Sequence, residues 1–571
     1  MAKNDISVKA SLDKFLKMIK LEKREVTAIY FYAILSGVIQ LSLPLGIQTI
    51  INFSQAAAGI GELPVSIILL IIIVLVGILV SGIVQVNQMK IVEKIEQSIF
   101  TRFSLDFAHK IPKIESSELN NNHLPELMNR FFEVISLQKG LSKILLDIPL
   151  AAIQIIFGLV LLSFYNSTFI VLGLLLILLL FFIFKYTTKK GLVASYNESE
   201  NKYEVASWLE EIARSYKTFK ISSQNNFHLK KTDELVKDYL VSKTKHFQIL
   251  KFQYWSLIVF KLLISAMMLI IGAVLLIRQQ LNIGQFIAAE IVILLILSAV
   301  EKLILNLEVG YNILTGVEKL NVISEKKTEI QGKTSFISNG NGIGIEVKQL
   351  NFKFENSPYL LEDINFTIQP GTKVCVMGDG GSGKSILLEL IGGTLKNFEG
   401  VVNINNIPIN NINQNEYRKN IGIFYNEQDI FEGTIYDNIC MGNESITPNE
   451  IMKHAEMLEI KDFISQLPEG LYTQLQPTGK GLSTIIAKKI LLLRAIANQP
   501  ELLVLDEPFE LAGAESSKKI SKYLTDLSNT TCMVVSGYIP FAKRADLIIW
   551  LEKGKIKHIG EPATILPLVI S

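Results

Sequence analysis

The chain has 571 residues, 49% of them hydrophobic and 19% charged, with a mean hydropathy of +0.34 and a formal net charge of +2. So apolar a composition at this length excludes a wholly water-soluble protein, and part of the chain is expected in lipid. The basic residues are spread along the chain and leave no nucleic-acid footprint, while Cys375, Cys440 and Cys532 have neither metal-ligand spacing nor the look of a disulfide framework.

Residues 1 to 26 read as an amphipathic N-terminal helix. Leu12, Phe15, Leu16 and Ile19 recur at helical spacing among Lys9, Lys14, Lys17, Lys20, Lys23 and Arg24. Such a helix either lies on the inner membrane surface or is an ordinary solvated helix, and it lacks the apolar core and cleavage site of a signal peptide. Residues 27 to 321 carry six apolar stretches, at about 27–53, 64–88, 144–165, 168–187, 255–278 and 284–307, each long enough to cross a ~30 Å hydrocarbon layer. The short connections between them lack Lys and Arg, whereas the long ones, 89–143 and 188–254, are rich in both. The positive-inside rule therefore places the long connections and both termini in the cytoplasm. Within the spans, Pro44 predicts a kink. Lys261 and Glu290 stand out because an ionisable group at bilayer depth costs about 2.5–3.5 kcal/mol. They either face a central cavity and contact cargo, or pair with each other or sit near the interface.

Residues 322–343 are polar and rich in Gly, Asn and Ser, and read as a linker. From 344 to 571 short β-branched strands alternate with helical patterns, which predicts an α/β domain with a largely parallel core sheet. The strand TKVCVMG runs into GDGGSGKS, residues 378–385, and then into a helical run. This is G-x-x-x-x-G-K-S in its strand–loop–helix setting. Gly378, Gly380, Gly381, Ser382 and Gly383 would close bare N–H groups around phosphate oxygens at a helix N-terminus. Lys384 would reach the β- and γ-phosphates of ATP, and Ser385 would ligate Mg2+. Downstream, LLVLDE at 502–507 reads as a buried strand ending in Asp506, placed for the metal shell, and Glu507, placed to polarise the attacking water. The fold class is thus a multidomain membrane protein: an all-α six-helix transmembrane domain followed by an α/β P-loop NTPase domain.

With those motifs the whole chain resembles an ATP-binding cassette (ABC) half-transporter of the six-helix exporter type, and is most similar to bacterial exporters of type I secretion and of peptides or toxins. The resemblance implies a bacterial inner-membrane location among membrane lipid. It also implies a second half-transporter, identical or not, with two ATPs sandwiched between the pair. A periplasmic adaptor and an outer-membrane channel would accompany a secretion role. Phe354, in FKF, matches the position that stacks on adenine, although a core strand aromatic fits it too. The helices coupling the two domains are expected near 125–132 and 208–220. No cysteine precedes Cys375, so the cysteine peptidase domain of some such exporters is expected to be absent.

Several family motifs fail here. LSGGQ falls on Leu482, Ser483, Thr484, Ile485 and Ile486; the lost glycines obstruct close backbone approach to the opposite nucleotide, and Ser483 alone keeps a contact. The γ-phosphate-reading glutamine falls on Asn426, with Gln428 a substitute if the loop slips. The switch histidine falls on Gly537, and the aspartate after the catalytic glutamate falls on Gly513. Deleting one transition-state donor slows catalysis by about 10²–10³, whereas ground-state binding keeps its ligands. The expectation is an ATPase that binds well and turns over slowly, driving export, or else a nucleotide-gated scaffold.

Overall fold

Inside lipid every backbone N–H and C=O has to be paired within the protein, and a helix does so along its own length. The computed structural model describes residues 8–56, 64–118, 124–221, 226–355, 357–425, 428–510 and 513–570. Among these, six helices are long and apolar enough to cross a membrane. A short α1 (Val8–Lys20) precedes α2 (Lys23–Ala56), α3 (Val65–Lys110), α4 (Glu133–Tyr165), α5 (Thr168–Arg214), α6 (Phe227–Ile277) and α7 (Ile283–Ser324). Each predicted span falls within one of α2 to α7 to within a residue. The helices run on well past the apolar stretches: α5 and α6 have 47 and 51 residues, or roughly 70 and 77 Å of helix.

This helical unit comprises Met1–Lys113 and Asn121–Lys326. Its hub is α7. Half of the most apolar window of α7 is buried, against 11% for α3, whose large apolar side chains face outward as a lipid-facing helix requires. Small residues let the neighbours close on α7: a Cβ at Gly140 or Gly158 of α4 would come within 2.7 and 2.8 Å of Ile313 and Ile296, and one at Gly191 of α5 within 2.3 Å of the Tyr311 ring. A capping box starts the hub, with Asn282 accepting from the Gln285 N–H (2.7 Å) and Gln285 accepting from the Asn282 N–H (2.9 Å).

Several polar groups inside the spans pair with one another. Gln40 donates to Ser36 (3.2 Å) and Ser81 (3.4 Å) and accepts from Gln154, and Tyr165 donates to Gln48 (2.6 Å). Lys261 does not meet Glu290, which was one of its expected partners. It reaches across from α6 to Glu301 of α7 at 2.7 Å, while Glu290 keeps a buried Oε2 with no partner. The N-terminal helix also differs from its expected apolar face. Phe15, Met18 and Ile19 turn into the core shared by α3, α4 and α7, Ser11 donates to Glu318 (2.8 Å), and Lys14 bridges Glu318 and Glu325, both at 3.0 Å. Leu12 and Leu16 are left exposed, so the leucines and the aromatic face of α1 serve two different surroundings.

The second unit comprises Ile114–Asn120 and Lys327–Ser571. The part of the first long connection that clusters with it is therefore Ile114–Asn120; the expected coupling stretches, 125–132 and 208–220, cluster with the helical unit. The reason is local pairing: Glu115 N–H donates to Lys327 O (3.0 Å), Ser116 to Thr394 O (3.0 Å), and Asn397 to Glu115 (2.6 Å). An antiparallel sheet has the order β2-β1-β4-β5, from β1 (Ile345–Phe352), β2 (Leu361–Ile368), β4 (Glu399–Ile404) and β5 (Ile407–Pro408). A six-stranded sheet has the order β12-β11-β3-β10-β9-β6. It is built from β3 (Lys373–Gly378), β6 (Ile421–Phe424), β9 (Leu502–Asp506), β10 (Thr531–Val535), β11 (Leu547–Glu552) and β12 (Lys555–Gly560), parallel except at β12. A two-stranded ladder, β7 (Gly433–Thr434) with β8 (Gln474–Leu475), completes the unit. Every residue of β9 and β10 is buried, as a sheet covered on both faces demands.

The close approach at the hub is testable. Gly191→Ala should cost about 1–3 kcal/mol by overpacking against Tyr311, seen as a lower melting midpoint in detergent. Gly82→Ala, with nothing within 4 Å of the new methyl, should leave the midpoint unchanged or raise it.

Candidate functional site

In the six-stranded sheet, β10 lies between β3 and β9, and its Val535 is in register with Val376 on one side and Asp506 on the other. The segments that leave these strands therefore emerge along one edge: the 378–385 loop after β3, Ser536 and Gly537 after β10, and Glu507 after β9. Open α/β sheets bind ligands at this carboxyl edge. The loop requires glycine at its two ends. Gly378 (φ +146°) would push a Cβ to 2.1 Å from Leu551 O, and Gly383 (φ +94°) to 2.7 Å from Leu361. Gly380 and Gly381 have nothing within 4 Å of a built Cβ, so their backbone borders open space. The helix α8 (Lys384–Ile391) follows at once. The Lys384 ammonium folds back to donate to Gly378 O (2.7 Å) and Asp379 O (2.8 Å), and the buried Ser382 hydroxyl has no partner.

Across the edge, Asp506 is 5% exposed. Burial raises its carboxyl above the ordinary carboxylate range, opposed by a hydrogen bond from Ser385 and the charge of Lys384. Glu507 sits in left-handed backbone (φ +48°), a costly conformation for a non-glycine residue and one that clusters at functional sites. Its N–H donates to Val535 O (2.9 Å). Burial and the neighbouring Glu510 push its carboxyl up, while the Ser536 hydroxyl and the Gly537 N–H pull it down. An open amide cradle, an orphaned buried hydroxyl, a lysine resting on replaceable carbonyls and a Ser385–Asp506 pair together fit a nucleotide triphosphate with a hard divalent cation.

The structure brings together Gly378, Gly380, Gly381, Ser382, Gly383, Lys384, Ser385, Asp506 and Glu507. Phe354 is half-buried, meets Phe352 edge-on at 5.1 Å, and lines a cavity of about 440 Å³ with Ser116, Thr394 and Lys396. Ser483 is the N-cap of α9 (Thr484–Ala497), and its hydroxyl accepts from the N–H of Ile486 (3.2 Å). Leu482 packs against the core, and Ile485 is 52% exposed. Gly513 caps α10 (Ala514–Asp526). Asn426 lies outside the described residues. Gln428 donates weakly to Ile423 O (3.4 Å), and its Oε1 is buried without a partner. Of the unit's two histidines, His454 lies against Tyr523 and His558 in β12. Two groups beside Glu507 escaped the sequence reading, Glu510 and Ser536. Ser536 adjoins Gly537 and Glu510 lies three residues from both Glu507 and Gly513, but no spacing rule points to them.

The ABC transporter family matches residues 361–510, and the ABC transporter transmembrane region matches residues 26–300. The chain is 25% identical over 451 residues to the transport/processing ATP-binding protein ComA of Streptococcus pneumoniae, a stretch covering 77% of this chain and 62% of that protein. It is 29% identical over 300 residues to the alpha-hemolysin translocation ATP-binding protein HlyB of Escherichia coli, covering 52% of this chain and 42% of that one. The matches thus span less than two thirds of these relatives' own lengths. In fold it is similar to a bacterial Atm1-family ABC exporter with ATP bound, with a TM-score of 0.82 at 15% identity and 96% of each chain covered.

Because burial raises the Asp506 carboxyl, its charge opposes folding at neutral pH, and stability is lost as pH climbs from the unfolded value through the folded one. Asp506→Asn should therefore melt about 2–4 °C higher than the parent at pH 7 without nucleotide or metal. The gain should shrink as the pH is lowered. With Mg2+ and ATP the order should reverse if Asp506 holds the metal as its position at the sheet edge suggests.

Proposed function

The chain belongs to the ABC transporter family, and from that membership we propose that it is one half of an ATP-dependent exporter that holds MgATP firmly and cleaves it slowly. One contrast carries this reading: the cradle from Gly378 to Ser385 keeps every phosphate-binding feature, while Gly537 presents no side chain where the family's switch histidine falls. Lys384 would leave the Gly378 and Asp379 carbonyls for the β- and γ-phosphates, and the Ser382 hydroxyl would find its partner there. Ser385 and Asp506 would hold Mg2+, which when bound offsets the charge developing on the phosphates. Phe354 would support the adenine ring. Glu507 would orient the attacking water and take its proton, with a carboxyl that burial raises from its ordinary value. Asn426 would make the remaining, weakened contact to this γ-phosphate, and Ser483 one to the γ-phosphate held by the second half-transporter.

The site is completed by a second half-transporter, whose own signature helix would face this loop. Closure of the pair on ATP would reorient the membrane helices, with binding rather than rapid hydrolysis as the main conformational lever. We place the nucleotide unit, the long connections and both termini on the cytoplasmic side of a bacterial inner membrane. The names of the relatives, which refer to hemolysin and exotoxin translocation, support a protein or peptide cargo, with a periplasmic adaptor and an outer-membrane channel as further partners. A scaffold role is favoured by one feature alone: Ser483 spends its hydroxyl capping its own helix beside the exposed Ile485.

The test is nucleotide binding and phosphate release by the chain in nanodiscs. MgATP at 100 times its Kd should stabilise the parent by about 2.7 kcal/mol. Lys384→Ala should abolish this shift. Glu507→Gln should keep it but stop phosphate release, and Gly537→His should raise turnover by about 10². Turnover indifferent to Lys384→Ala and Glu507→Gln would favour the scaffold, and failure to bind ATP at millimolar concentration would sink both readings.

A further inference from the structure

Where the apolar stretches of α5 and α6 end, near residues 187 and 255, a groove between the two helices opens into a cavity of about 620 Å³. Three cations line it, Lys189 and Lys190 from α5 and Lys245 from α6. None of them forms an ion pair among the described residues. The two acids of α5 nearest to them in sequence are engaged elsewhere. Glu198 turns to the buried His246, whose Nδ1 lies 2.6 Å from its Oε2, and Glu200, which borders the cavity, pairs with the buried Lys319. The Asn201 amide donates to Ser242 Oγ (2.8 Å) and ties the two helices at the far end of the groove, while Val193 and Ile249 give it an apolar wall. At the other end Tyr186 packs against Phe252 with ring centroids 6.1 Å apart, and Trp255 stands exposed. Aromatic rings collected at one level mark a membrane–water boundary. The Lys190 ammonium rests over the Tyr186 ring at 4.1 Å and so points back toward that boundary.

From this placement we propose that the groove between α5 and α6 holds the headgroup of an anionic glycerophospholipid. Three like charges around one groove repel one another, and an anion set among them removes the repulsion. Basic pockets between transmembrane helices at this level take anionic headgroups, each lysine contributing about fivefold in affinity. The surroundings select a lipid over a soluble anion, because the aromatic boundary and the apolar wall accept an acyl chain and a glycerol backbone. Lys189 and Lys190, just past the apolar stretch of α5, meet the phosphate ester. Lys245 lies about 15 Å of helix below the apolar stretch of α6, and its long stem brings the ammonium to the outer end of the headgroup. Both helices belong to one chain and are consecutive, so a single half holds the lipid. Once bound, it braces α5 against α6 beside the Glu198–His246 pair.

The experiment titrates phosphatidylglycerol into the full chain in detergent and reads bound lipid by native mass spectrometry, with phosphatidylcholine and inorganic phosphate as separate arms. The parent should prefer phosphatidylglycerol to phosphatidylcholine and should show no saturable binding of inorganic phosphate. The triple variant Lys189→Gln, Lys190→Gln, Lys245→Gln should bind phosphatidylglycerol about 10² more weakly, with its melting midpoint in phosphatidylcholine nanodiscs equal to the parent's. The corresponding arginine triple should keep the parent's affinity. So should a glutamine triple at Lys217, Lys230 and Lys237, exposed lysines outside the groove. Undiminished phosphatidylglycerol binding in the first triple, a loss in the arginine triple, or an equal loss in the triple outside the groove would overturn the proposal. Equal affinity of the parent for the two lipids would do the same. Inorganic phosphate that binds with the same dependence on the three lysines would overturn it in favour of a soluble anion, and a cryo-EM map in which a second half covers the groove would overturn it in favour of a protein contact.

Discussion

The chemistry available to the second unit depends on the register of three buried parallel strands. A dry strand has no place for an ionisable side chain along its length, since an unpaired polar group inside costs several kcal/mol. Polar groups can appear only where the strand ends. Because Val376, Val535 and Asp506 lie side by side, three such ends coincide, and a phosphate loop, a buried hydroxyl and a pair of acids meet along one edge without any long-range bond being made for that purpose. Shifting one strand by one residue would turn its side chains to the opposite face and scatter the group.

The same register bears on the proposed reading, in which the chain keeps the means of gripping a nucleotide and loses the means of cutting it. Gly378 and Gly383 are locked into the fold, since a Cβ at either would meet Leu551 O or Leu361. Any substitution there strains the sheet as well as the loop. Positions 513 and 537 have nothing within 4 Å, and Ile485 stands in solvent at the start of its helix. Substitutions at such exposed corners barely touch stability. On the proposed reading, then, the binding elements are protected by the core that carries them, and the switching elements by function alone.

Legibility in the sequence followed the range of the interactions involved. The six spans were legible because apolar length is local, and the phosphate loop because strand, glycine turn and helix are contiguous. The features that stayed hidden depend on contacts between distant segments. Lys261 meets Glu301 rather than Glu290 because the pairing of α6 with α7 sets which turns face each other. Phe15 and Ile19 face inward while Leu12 and Leu16 do not, because periodicity reports an apolar face but not how much of it a neighbour covers. Ile114–Asn120 joins the second unit through hydrogen bonds to Lys327, Thr394 and Asn397, which no helical pattern announces.

The helical unit shows how such a bundle can move. Around α7, Gln253 donates to Tyr311 (2.8 Å), Ser195 to Asn312 (3.1 Å), and the buried Lys319 ammonium pairs with Glu200 while lying over the Tyr196 ring at 4.4 Å. Gly140 and Gly191 bring the neighbouring backbones close at the same levels. Breaking one partner out of a buried ion pair costs several kcal/mol, and interlocked side chains resist sliding because cores are bistable rather than continuously deformable. So tied, α7 cannot shift alone past α5 and α6. With α4 held against α7 through Gly140 and Gly158, a rearrangement of this bundle would carry α4, α5, α6 and α7 as one body and find its moving boundary on the side of α2 and α3, where α3 buries little of its apolar surface against protein.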